Sequence, residues 1–160
     1  MKDVTFTPIG KIHSPFQNIE DMPIQPVGAK GVQGTVEVDK QYTDGLKDLE
    51  GFSHIILLYH FHLSEGFSLS VKPFLDDEEK GLFSTRAPKR PGPIGLSVVK
   101  LIDVDENILR IEDVDVVDGT PLLDIKPYVP EFDIREVENC GWLEKEAERA
   151  EEKRSDERFR

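Results

Sequence analysis

Seven short apolar segments, rich in β-branched residues and bounded by Gly, Pro, Asn or Asp, run through the first 128 residues: 5–12, 34–38, 53–62, 68–72, 94–104, 108–112 and 121–128. No helical period of 10–15 residues separates them, so they do not read as alternating βαβ units. Strands this short and this evenly punctuated close into a barrel or stack as a sandwich. The expected fold is mainly β: a single β-barrel of about seven short strands with a C-terminal helix. HIILLYHF (54–61) is continuously apolar and reads as a central strand. The link at 105–107 is short enough for a hairpin.

From Trp142 the sequence changes to LEKEAERAEEKRSDERFR, dominated by good helix formers, with Leu143, Ala147 and Ala150 on one thin apolar face. We therefore expect a barrel domain over 1–133 and a charged helix and tail over 134–160. No stretch approaches the roughly 20 apolar residues of a membrane span, and MKDVTFTPIG lacks the apolar core of a signal peptide. The expected location is cytoplasmic, with no membrane partner. The lone Cys140 forms no internal disulfide and no cysteine metal site by itself. A net charge of −12 should repel nucleic acid at long range. Yet Arg86, Lys89, Arg90 and Lys100 fall in a 15-residue stretch with no acid, leaving room for a local basic site.

Four stretches carry candidate chemistry. RAPKRPGPIG (86–95) is a stiff cationic loop feeding straight into an apolar strand. PVGAKGVQG spaces three glycines as G-x-x-G-x-x-G, which is neither the dinucleotide fingerprint nor a P-loop and reads as a tight turn or a cofactor loop. His60 and His62 would share a face if both lay on a strand, which is half of a metal site at most. VDGTPLLDIKPYVP (117–130) opens on an Asp-Gly turn and then places Asp124 and Lys126 on one face of an apolar strand, where opposite charges are costly unless paired or functional.

Taken together, IGKIHSPF, PIQPVGAKGVQGTVEV, LKDLEGFSHIILLYHFH, GLFSTRAPKRPGPIGLSVVKL and DVVDGTPLLDIKPYVPEFD resemble the TsaA-like, or TrmO, family in order and spacing over residues 7–133. The resemblance implies a β-barrel methyltransferase, unrelated to the Rossmann type, that binds S-adenosylmethionine near a homodimer interface. It implies a tRNA substrate, methylated on N6 of the threonylcarbamoyl-modified adenosine at position 37. Carried over by position, the implied cofactor contacts are Gln25, Pro26, Val27 and Gly28; His62, Glu65 and Gly66; Arg90; and Asp118, Gly119, Thr120 and Pro121. Asp124, His62 and Asp118 are the candidate proton acceptors, Arg86 and Lys89 candidate RNA contacts, and no metal is implied. One position departs from the family: R-P-N-P-I-G is usual, and Gly92 stands here for the asparagine. Residues 134–160 stand where the family's long form carries a further domain. Two other classes fit the residues: a non-catalytic S-adenosylmethionine- or RNA-binding module of the same fold, and a hydrolase with a metal on His60 and His62.

Overall fold

The structure is a computed structural model that describes residues 2–23, 26–73 and 77–144. Six strands close an antiparallel barrel: β1 (Gly10–His13), β2 (Gln33–Val38), β3 (His54–His60), β6 (Ile94–Asp105), β7 (Ile108–Glu112) and β8 (Thr120–Pro127). Around the barrel the order is β1-β2-β7-β6-β3-β8 and back to β1. Two further strands, β4 (Ser70–Val71) and β5 (Lys80–Gly81), pair only with each other, outside the barrel.

The closed barrel leaves no open edge, and each wall strand buries every second residue. Ile55, Leu57 and Tyr59 of β3 point inward, as do Ser97, Val99 and Leu101 of β6. With Ile12, Val36, Val38, Leu109, Ile111 and Leu122 they fill the core. HIILLYHF is apolar throughout because Ile56 and Leu58 cover the outer wall, where Leu96 of the neighbouring strand is 52% exposed. The β6–β7 hairpin turns through Glu106 and Asn107 alone. Asn107 holds that turn to β2, its buried side-chain amide donating to the Val38 carbonyl at 2.6 Å.

The structure differs from the sequence expectation at three places. The first strand starts at Gly10, not at residue 5; Pro8 has no N–H to give a ladder, and Val4 and Phe6 are exposed. Segment 68–72 supplies no barrel strand, because Val71 packs instead with Leu82 and Ala87 in a small separate cluster. That cluster lies under the start of the cationic loop and braces it. His60 is the last residue of β3, so His62 has left the strand and the two do not alternate along it; the His62 N–H bends back to the His60 carbonyl at 2.8 Å. Past β8 the described chain makes one helical turn, α1 (Pro130–Asp133), and a 3₁₀ turn at Gly141–Leu143. The expected C-terminal helix lies outside the described residues from 145 onward.

Candidate active site at one mouth of the barrel

Because neighbouring strands are all antiparallel, the C-terminal ends of β1, β3 and β7 emerge at the same mouth as the N-terminal ends of β2, β6 and β8. Three long connections therefore share this mouth: 14–32, 61–93 and 113–119. Every implied cofactor residue falls in these connections or on the first two residues of β8. Gln25 lies outside the described residues; Pro26, Val27 and Gly28 belong to the 3₁₀ turn Pro26–Ala29. His62, Glu65 and Gly66 follow β3, and Arg90 precedes β6. Of the candidate proton acceptors, His62 and Asp118 share this mouth and Asp124 does not. It sits down the outer wall, paired with Lys126 at 2.7 Å, and both side chains are well exposed.

The 113–119 connection is tied at almost every residue. The Asp113 carboxylate accepts from the Gly31 N–H at 2.7 Å, and the Val114 N–H reaches the Val32 carbonyl. The Ser14 hydroxyl donates to the Val116 carbonyl at 2.5 Å. Asp118 and Gly119 donate their amides to Phe16 and Ile12, and the Thr120 hydroxyl donates back to Val117 at 2.6 Å. Gly119 has φ +77°, a left-handed turn that only glycine takes without strain, and a side chain there would project into open space. The result is a shelf whose backbone is fixed by hydrogen bonds and which borders open space at Gly119, which is how preorganised binding loops are built.

The Asp118 carboxylate accepts from the Ser14 N–H at 3.1 Å and lies 3.2 Å from His13 Nδ1. Partial desolvation opposes ionisation, but donors from Ser14, His13 and Gln17 outweigh it and hold the carboxyl below its ordinary value. A carboxyl depressed in the folded state stabilises the fold above the unfolded value of 3.8, and that stabilisation fades as pH falls through the folded value. Asp118→Asn is therefore expected to lower the melting temperature by a few degrees at pH 7, with the gap to the native protein closing below pH 3.8. A gap that widens in acid would contradict this.

The cationic loop faces the same mouth. Arg90 Nη1 donates to the Thr85 and Ala87 carbonyls at 3.2 and 3.0 Å, and the guanidinium lies 5.9 Å from the Phe83 ring centroid. Its Nε and Nη2 donors make no bond among the described residues. Gly92 is not in the left-handed region and borders open space, so no backbone requirement explains glycine there. Trp142 Nε1 donates to the Ser84 carbonyl at 2.9 Å, which brings the C-terminal segment back against this loop.

One cluster at the mouth escaped the sequence reading. Ser97 Oγ donates to Asp115 Oδ1 at 2.7 Å, and Tyr59 Oη lies 2.9 Å from Ser97 Oγ. Burial pushes the Asp115 carboxyl up to about 6, against the lowering effects of the Ser97 bond, its own backbone N–H and Arg86. Burial, reinforced by Asp115, also raises the Tyr59 phenol. His62 moves the other way: desolvation, then its neighbour His60, keeps the imidazole neutral at pH 7. The available signals were an acid between two valines (Val114, Val116) and a lone polar residue on the inward face of β6. Neither stands out until the strands are closed.

The donor set is mixed: carboxylates on one connection and free guanidinium nitrogens on another. That suits a zwitterionic, cationic ligand such as S-adenosylmethionine better than a metal. Among the described residues no group of three His, Cys, Asp or Glu could hold a metal ion.

The closed antiparallel barrel with these groups at one mouth defines the class by architecture: a β-barrel with no Rossmann-type sheet. Residues 11–134 match the family of tRNA-methyltransferase O N-terminal domains, TrmO, and the chain belongs to it. It is 57% identical, over 98% of its length and 85% of the relative's, to a probable S-adenosyl-L-methionine-binding protein of Pyrococcus abyssi. It is 38% identical to the tRNA (adenine(37)-N6)-methyltransferase of Escherichia coli, covering 81% of this chain and 60% of that enzyme. The crystal structure of TrmO from Pseudomonas aeruginosa superposes with a TM-score of 0.74 at 36% identity, covering 88% of this chain and 63% of that one. The chain thus spans about three fifths of the E. coli and P. aeruginosa proteins.

Proposed function

We propose that this chain transfers a methyl group from S-adenosylmethionine to N6 of threonylcarbamoyl-modified adenosine 37 of tRNA, acting in the cytoplasm as a homodimer. The observation that carries the reading is the meeting of the family's two most distinctive motifs: the R-x-P-x-R-P loop and the D-G-T-P turn lie on connections that open at the same mouth of the barrel. When bound, S-adenosylmethionine supplies an electrophilic methyl on a sulfonium. The protein aligns donor and acceptor and excludes water. Arg90 would hold the methionine carboxylate through its free fork, and the shelf at Asp118–Pro121 would seat the nucleoside part, together with the 25–28 turn and the His62–Gly66 connection. Arg86 and Lys89 would meet RNA phosphates, giving the acidic body a local basic landing site. Exposed Ile94 and Leu96, beside outward Leu58, support an apolar dimer face near the same mouth.

A second reading is favoured by the P. abyssi relative, whose name gives only S-adenosyl-L-methionine binding: a cofactor-binding module without transfer. Labelled cofactor with tRNA carrying or lacking the threonylcarbamoyl group separates the two. The methyltransferase labels only the modified tRNA. Tight cofactor binding with no label on either tRNA would leave the module.

A further inference from the structure

We propose that Asp115 takes the proton from the acceptor nitrogen during methyl transfer; the assignment rests on the methyltransferase reading above. Asp115 is the third residue of the 113–119 connection, between the tied residues Val114 and Val116, so its backbone is fixed at the mouth before any ligand arrives. Its neighbours are arranged to hold a negative charge that is easily given up. With the carboxyl ionised, the single Ser97 proton goes to Asp115, so Tyr59 must donate to Ser97. A chain of two hydroxyls thus ends on the carboxylate from inside the barrel. Arg86 of the cationic loop favours the ionised form by its charge. Burial sets its titration first, opposed by the Ser97 hydroxyl, the Asp115 backbone N–H and Arg86, while Tyr59 acts on it through Ser97.

The two carboxylates singled out from the sequence as proton acceptors are committed elsewhere, Asp118 to Ser14 and His13 and Asp124 to Lys126. At His62 desolvation, and then the neighbouring His60, disfavour the charged imidazole, so it is a poor resting place for the proton. A carboxylate starts negative and ends neutral, so no like charges meet as the reaction proceeds. As the N6–methyl bond forms, the N6–H bond breaks and its electron pair serves the new bond. The proton passes to an Asp115 oxygen, and the former sulfur–carbon pair remains on sulfur as an uncharged thioether. Sulfonium and carboxylate enter as one positive and one negative charge, and all products of the step are neutral.

The test compares the native chain with Asp115→Asn and Ser97→Ala by single-turnover transfer to modified tRNA, calorimetry of cofactor binding and infrared titration of carboxyl groups in the ligand-free protein. D115N should lose roughly 10²–10⁴-fold in single-turnover rate while cofactor affinity stays within about threefold. The native chain should show a carboxyl titrating at about 6 that D115N lacks. S97A removes a donor that favours the ionised form, so both this titration and the acid limb of the rate should move to higher pH. A D115N variant as fast as native, an equal loss of cofactor affinity, or a limb unmoved in S97A would overturn the assignment alone. No transfer by the native chain would overturn the methyltransferase reading and the assignment together.

Discussion

Gly95→Ala should destabilise the barrel strongly. Gly95 faces Tyr59 across the β3–β6 pair, and the Tyr59 ring occupies the space a side chain at Gly95 would need. A Cβ there would fall on that ring, 2.5 Å from Cζ, 2.8 Å from Cδ2 and closer still to Cε2. The ring has nowhere to go. Tyr59 is 4% exposed, stands edge-on to Phe61 at 5.5 Å, and is held by its bond to Ser97. Overpacking costs about 1–3 kcal/mol, and losing the phenol's partner adds about 1 kcal/mol. For a chain of this size that amounts to a fall in melting temperature of roughly 5–15 °C. Gly92→Asn is the matched control. It restores the residue usual in the family at a position bordering open space and outside the left-handed region, so thermal stability should stay within about 0.5 kcal/mol. Equal melting temperatures for G95A and the native chain would show that Tyr59 is not pinned as described.

Arg90→Ala should weaken cofactor binding by about ten- to a hundredfold, as expected for the loss of a charge-assisted contact of about 1.5–3 kcal/mol. Arg90 does two things at once. Nη1 ties the Thr85 and Ala87 carbonyls, shaping the loop, while Nε and Nη2 remain for a ligand. Arg90→Lys separates them: it keeps a charge but loses the planar fork, so it should recover only part of the affinity. Calorimetry that finds R90A binding as tightly as the native chain would remove Arg90 from the site.

Much of the barrel was legible in the sequence because its strands alternate with strong punctuation. Five of the seven expected segments became wall strands nearly in place, and the sixth began late because Pro8 interrupts it. Ser68–Lys72 misled because β-branched and apolar residues serve equally well in a two-residue ribbon that braces a loop. The site was legible only as fragments. Sequence spacing can show a stiff cationic loop and an Asp-Gly turn, but only the closed barrel puts both at one mouth. Asp124 drew attention as an acid embedded in an apolar strand, and so could have Asp115. Which of the two faces the outer wall and which meets Ser97 is decided by the pleat and the connection after β7, which lie beyond local pattern. Gly92 looked like turn chemistry, yet its backbone needs no glycine.

A cofactor-bound structure tests the central claim most directly. S-adenosylmethionine should lie at the mouth, with its sulfonium methyl facing the 113–119 connection and its carboxylate on Arg90. The opposite end of the barrel offers the alternative, an open, acidic hollow lined by Thr43, Asp44, Lys47, Glu50 and Glu106. Cofactor found in that hollow, with the mouth empty, would contradict the account.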